Sequence, residues 1–443
     1  MPLRLAVPVL MLLAGAAHAT PRASVTVYTR DLAFVRETRA LDLRSGRDTV
    51  RLGDIPDRID IASARLSPSG GARVTRLAYR FDVASGDRVL ELARGSGVRI
   101  ALRDNRVVEG TLVGADGAWL MVRTDDQALE SVSRSAVEVL RFAQPRASLA
   151  FEPSLEAVVE GGSGRVEAEL AYLTGGLSWS AEHSLMRTSE TRALWTSTVT
   201  VENTSGLGFE VARLALVAGD PRRESPAAPS MAIGRAMEMS MVAERADFAE
   251  QSFAEYHLYT LDRPALLRDR ETQSLVMLET RAVNVAPRYL HRGGASGVAA
   301  QLEVQNTSAG GLGVPLPAGR VRMYEKDGTG ERHFTGETRI RHTPEGEKLT
   351  LDVGTAFDLV AERREVSNRR ISDREREYQI EITFRNRKKD GVTIVVEEPV
   401  AADHEVIRRS HEFTRKDAGT LQFEVAVAAG KESVLGYTVR VRY

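Results

Sequence analysis

Val199-Thr-Val-Glu-Asn203, Leu302-Glu-Val-Gln-Asn306 and Ile380-Glu-Ile-Thr-Phe-Arg-Asn386 are three copies of one phrase. Apolar and polar residues alternate with period two, so each stretch reads as a strand with one buried and one wet face. Asn then tolerates left-handed φ and bonds its own backbone, which ends the strand. The copies lie about 100 and 80 residues apart, roughly the size of one β-sandwich module.

The same alternation extends to both sides. It recurs in Val25-Thr-Val-Tyr28, in Asp48-Thr-Val-Arg-Leu52 and strongly over residues 164–172. Near the C-terminus, residues 425–430, a turn and residues 434–441 read as a closing hairpin. Very little of the chain carries a helical period. The expected fold class is therefore all-β, a multidomain set of antiparallel, immunoglobulin-like sandwiches.

Residues 96–144 stand apart. Five short strands separated by Asp104-Asn105, Asp116-Gly117 and Asp125-Asp126 predict a small SH3-like or Sm-like barrel insert. An Sm-like barrel raises the question of RNA. Seven Arg are matched there by seven Asp and Glu between Arg94 and Arg141, so no basic face forms. The domain reading is a signal peptide at 1–19, an N-terminal β domain at 20–95 and the insert at 96–144. A central sandwich unit follows at 145–365, with a flexible loop at 221–250, and a C-terminal sandwich at 366–443.

Arg4 precedes an apolar run over residues 7–17, and Ala17-His18-Ala19 is a small-x-small cleavage site, so export is expected. The run is short for a membrane span, and no later segment is apolar for long enough. The chain has no Cys, which excludes disulfides, thiolate nucleophiles and Cys-based metal sites. Without Arg4 the 443-residue chain holds 59 basic and 61 acidic residues, a net charge of −2. That balance gives no drive toward nucleic acid.

Residues from Tyr256 onward resemble a known family. The carriers are Tyr256-His-Leu-Tyr-Thr260, Pro315-Leu-Pro-Ala-Gly-Arg-Val-Arg-Met-Tyr324, Val353-Gly-Thr-Ala-Phe-Asp-Leu-Val360, Arg385-Asn386 and Leu435-Gly-Tyr-Thr-Val-Arg-Val441. Tyr172-Leu-Thr-Gly-Gly-Leu-Ser-Trp179 and Leu216-Val-Ala-Gly-Asp220 fit as well. Together they look like domain-of-unknown-function family 4139, shared with the mucoidy inhibitor A-like proteins. The resemblance implies an exported, β-rich bacterial protein without an established catalytic mechanism. The chain departs from the mucoidy inhibitor A-like pattern by carrying the insert where a coiled coil is common.

No catalytic spacing emerges. His183, His257, His291, His333, His342, His404 and His411 form no H-x-x-H pair. Ser178 lies in Gly176-Leu-Ser-Trp-Ser180, which lacks the second Gly of a nucleophile elbow. A triad from distant Ser, His and Asp stays open. Gly310-Gly-Leu-Gly313 runs into Pro315 and Pro317, which cannot begin a phosphate-binding helix. Glu397 and Glu398 are adjacent on a strand and face opposite sides. Met237, Met239 and Met241 put three thioethers on alternate residues near Met231, a weak copper candidate. The mixed charges of residues 362–377 read as a solvated face or a guarded strand edge.

The expectation is a non-enzymatic structural or interaction scaffold of the bacterial envelope, in the periplasm or at the cell surface. It has no cofactor, no transmembrane segment and no nucleic-acid partner, and its partner is an envelope protein or polysaccharide. The oligomeric state stays open. The first alternative is a carbohydrate- or peptide-binding module using Trp179, Trp195, Tyr256 and Tyr259. The second is an unrecognised hydrolase.

Overall fold

The computed structural model describes residues 23–82, 85–143, 150–219, 248–253, 256–261 and 263–443. The proposed signal at 1–19, Met231 and the copper candidates Met237, Met239 and Met241 lie outside the described residues. Strands dominate the described chain. It divides into two compact units: Met1–Ser178 with Glu202–Ala215 and Leu261–Glu271, and Trp179–Val201 with Leu216–Thr260 and Thr272–Tyr443.

In the first unit, strands follow the order Phe209–Ala218, Ala23–Tyr28, Ala33–Leu43, Gly164–Thr174, Ile59–Pro68, the last four antiparallel to one another in sequence of pairing. Ala23, Val25 and Val27 are buried while Ser24, Thr26 and Tyr28 are not, as period-two alternation requires. Gly176 makes the turn in the Thr174-Gly-Gly-Leu phrase. Its φ is +86°, its N–H donates to Asp31 Oδ1 at 2.7 Å, and a Cβ there would meet Ser205 Cα at 2.4 Å. Gly176→Ala therefore combines left-handed strain with a backbone clash. It is expected to lower first-unit stability by about 2 kcal/mol or more, read as an earlier thermal melt.

The five strands expected in the insert are all present, in the order Val137–Phe142, Gly97–Leu102, Val107–Ala115, Trp119–Arg123, Leu129–Ser133. The predicted barrel is corrected: the first and last of these are free edges, and the sheet does not close. A helix at Gly86–Leu92 places Leu90 in a core with Ile100, Leu112, Leu120 and Val122. Ser85 Oγ caps it by accepting the Arg88 N–H at 3.1 Å. At seven residues the helix spans under two turns, too short for its period to be read in the sequence.

The second unit holds a ten-stranded sheet whose main path runs Arg332–Ile340, Gly319–Lys326, Leu177–Arg187, Arg192–Asn203, Glu271–Arg292, Val392–Pro399, Thr420–Val427, Phe413–Asp417. Two of its pairings are parallel: Ala181 is opposite Gly319, and Tyr289 is opposite Ile394. Ala299–Gln305 pairs with Glu271–Arg292, and Lys348–Thr355 pairs with Ala299–Gln305. A four-stranded sheet, Leu359–Ser372, Glu375–Asn386, Glu432–Arg442, His404–Arg409, packs Ile382, Phe384, Leu435 and Tyr437 against Ile394, Val396, Phe423 and Val425. This is sheet-on-sheet packing. The closing hairpin is corrected. Thr420–Val427 and Glu432–Arg442 belong to different sheets, so residues 428–431 carry the chain across the sandwich. Leu359–Ser372 is an edge strand, almost wholly exposed beyond Leu359. Its charges are laced by Arg364–Glu381, Arg369–Glu377 and Arg385–Glu362 pairs, the guarded edge that the mixed run suggested.

The three repeated Asn end their strands only partly as expected. None of them has positive φ. All three are buried, and each amide donates to carbonyls of other segments. Asn203 Nδ2 reaches Leu207 O at 2.8 Å and Leu267 O at 3.1 Å. Asn306 Nδ2 reaches Val314 O, Thr343 O and Pro344 O at 2.8–3.3 Å. Asn386 Nδ2 reaches Asp390 O, Val427 O and Ala428 O at 2.8–3.3 Å. The Oδ1 atoms of Asn203 and Asn386 accept the N–H two residues on, at Ser205 and Lys388. Asn203 lies in the first unit, and the other two lie in the second.

Candidate functional site

The end of the Glu271–Arg292 strand sends alternate side chains to two hollows of the second unit. Arg288 and Arg292 face a polar hollow of about 850 Å³. Its charges largely neutralise one another. Glu397 is met by Lys416 Nζ at 2.8 Å, Arg292 Nε at 3.8 Å and Arg288 Nη2 at 3.9 Å. Glu303 is met by Lys348 at 2.9 Å, and Gln301 donates to Asp352 at 2.6 Å. A face so internally paired is a stable polar surface with little charge left for a ligand.

Tyr289 faces the other way. It shares with Pro287 and Lys388 the floor of three adjoining hollows of about 130, 650 and 570 Å³. Lys388 Nζ stands 5.2 Å from the Tyr289 ring centroid, a cation–π contact. The smallest hollow has an apolar wall of Leu185, Leu302, Met323 and Val353, with Arg187, Gln301, Glu325 and Thr335 also lining it. The two larger ones are lined by Arg187, Lys326, Arg332, Arg387, Lys388 and Lys389 against Glu190, Glu325, Asp358 and Asp390, six cations to four carboxylates. Arg187 pairs with Glu325 at 3.6 Å. Among the described residues, Lys326, Arg332, Arg387, Lys388 and Lys389 have no ion pair. Phe357, between the lining residues Ala356 and Asp358, is 95% exposed. Phe334, edge-to-face with the lining residue Tyr324 at 5.9 Å, is 57% exposed. The 387–391 loop owes its place to Asn386, which accepts the Lys388 N–H at 2.9 Å.

The side chains singled out from sequence fall elsewhere. Trp179, Trp195 and Tyr259 are buried, and Trp179 Nε1 donates to Val217 O at 3.1 Å. Tyr256 is half-buried with its ring against Gly219. The aromatic platform for sugars is therefore corrected: three of its four rings are core. Glu397 and Glu398 do part to opposite faces, the first to the polar hollow and the second to the sandwich core. Ser178 is half-buried, and no hydrogen bond among the described residues joins it to a histidine. His404 contacts Arg415 and Ala401 O, whereas His411 contacts Ser410, so the two make no common centre. No group of three or more metal-ligating side chains occurs among the described residues.

One buried Ser–His pair does assemble. His183 Nε2 donates to Pro317 O at 3.2 Å, so in the neutral ring Nδ1 accepts the Ser197 hydroxyl at 2.8 Å. Trp195 Nε1 donates to Ser197 Oγ at 2.9 Å. Both His183 and Ser197 are buried, and a carbonyl occupies the orienting position where a triad has a carboxylate. Burial pushes the His183 pKa down to about 4. The unfolded chain takes up this proton near pH 6.5 and the folded chain does not, so folding weakens as pH falls through that window. Wild type is expected to lose about 3 kcal/mol more than His183→Gln between pH 7 and pH 4. Chemical unfolding at both pH values reads the difference.

The described chain is thus an all-β, multi-sheet protein with a preformed, locally basic groove in its second unit, and no helix long and apolar enough to cross a membrane. It belongs to the family described as Domain of unknown function (DUF4139), which matches residues 168–443. The match takes in all the phrases that carry the family resemblance, from Tyr172 to Val441, and leaves out the 96–144 insert. The likeness to mucoidy inhibitor A-like proteins rests on those phrases alone. The chain matches no curated protein.

Proposed function

We propose that this chain is a non-enzymatic interaction protein exported to the bacterial envelope, working in the periplasm or at the cell surface. The groove around Tyr289 and Lys388 carries the reading, because it offers unpaired cations and an exposed Phe357 on an otherwise well-paired sheet unit. Export is supported by Arg4, the apolar run at 7–17 and Ala17-His18-Ala19. The test is fractionation of cells that express the tagged full chain, followed by cross-linking and capture from envelope extract. The expected result is a processed chain in the envelope fraction with a stoichiometric partner. An unprocessed cytoplasmic chain, or robust turnover of a soluble substrate without a partner, counts against it.

A further inference from the structure

We propose that the groove around Tyr289 and Lys388 docks an acidic segment of a partner polypeptide, with one apolar side chain of that segment seated in the small recess. This rests on the reading of the chain as an interaction protein and gives that site its partner class.

The recess sets the first requirement. Its volume is about 130 Å³; Leu185, Leu302, Met323 and Val353 form one wall, and Gln301, Thr335 and the Arg187–Glu325 pair also line it. A dry cavity of about 150 Å³ holds benzene, so this one takes a single phenyl- or leucyl-sized group. It is too small for a lipid acyl chain. A single apolar amino-acid side chain matches this volume and the aliphatic wall.

The rim sets the second requirement. Lys388 lines the recess and Lys326 and Arg332 line the adjoining hollow, all three without ion pairs among the described residues, and the groove has two more cations than carboxylates. The whole chain has a formal charge of −1, so the excess is local. Such a field attracts and orients an anionic partner. Phe357 and Phe334 add apolar surface beside the recess that a docked segment would cover. An apolar anchor inside a charged rim is the usual anatomy of a peptide-docking site.

The probe is a displayed library of random linear peptides, selected against the tagged full chain at physiological salt. Enriched peptides should carry Asp or Glu around one Leu, Ile or Phe. Synthetic copies should bind at least about tenfold more weakly to Lys388→Glu and to Phe357→Ser, and Ala at the anchor position of the peptide should cost as much. Both substitutions lie outside the buried core, and unchanged thermal melts confirm the fold. Failure to enrich any peptide, or binding indifferent to both variants, overturns the proposal. So does binding of polygalacturonate at the groove in place of peptides, which makes it a glycan site. Envelope capture that persists in both variants also removes this site while leaving the interaction reading intact. That reading falls separately, when wild type captures no partner.

Discussion

Replacing Asn386 with Asp is expected to destabilise the second unit by roughly 3 kcal/mol or more. The substitution keeps the shape and the acceptor that takes the Lys388 N–H. It removes the amide donor shared by Asp390 O, Val427 O and Ala428 O, and it places a carboxylate against those carbonyls in a fully buried site. The buried Val427 O loses the amide donor, Ala428 O keeps only the Lys431 N–H, a buried unsatisfied group costs about 1–3 kcal/mol, and the desolvated new charge adds to it. Burial raises the pKa of the new carboxyl in the folded state, so the deficit is full near neutrality and shrinks as pH falls and the acid regains a donor. Guanidinium unfolding followed by tryptophan fluorescence suits the test, because Trp179 and Trp195 of the three Trp lie in the second unit. A variant as stable as wild type would show that the amide contacts do not support the fold.

Arg363→Met should cost about 3–5 kcal/mol. Glu398 is fully buried, and its Oε2 is held by Arg363 Nε at 3.0 Å and the Tyr437 hydroxyl at 2.6 Å. Burial and the Glu398 charge push the Tyr437 pKa far up, so this hydroxyl stays a donor. Among the described residues Glu398 Oε1 has no hydrogen-bond partner, which makes the carboxylate depend on Arg363 for compensation. Removing the cation strands a charge in the core, whereas removing both charges leaves an apolar contact of similar size. Arg363→Met with Glu398→Leu should therefore be more stable than Arg363→Met alone. Urea midpoints of the three chains decide it, and a double variant less stable than the single one refutes the argument.

The strands were legible because alternation is a local property. Ala23–Tyr28 and residues 380–386 of Glu375–Asn386 bury every second residue, as their letters suggest. Sheet membership was not legible. The turn before Glu432–Arg442 looks the same whether the strand folds back or crosses to the opposite layer, and the crossing is seen only in the packing between the layers, as of Tyr437 on Phe423. The groove was hidden for a related reason, since Arg187, Tyr289, Arg332 and Lys388 come from four separate stretches. One local signal was present: Arg387-Lys-Lys389 directly follows a repeated Asn. The role of that Asn was half legible. Strand ending could be read, but the partners of a buried amide come from distant chain and leave no mark beside it.

The Asn386 amide has a consequence for kinetics. It shapes the Lys388 loop through the fold itself, before any visitor arrives. Encounter then requires little loop ordering, and the entropy loss falls mainly on the incoming chain. Preorganisation of this kind favours long residence and strict choice among visitors over promiscuity.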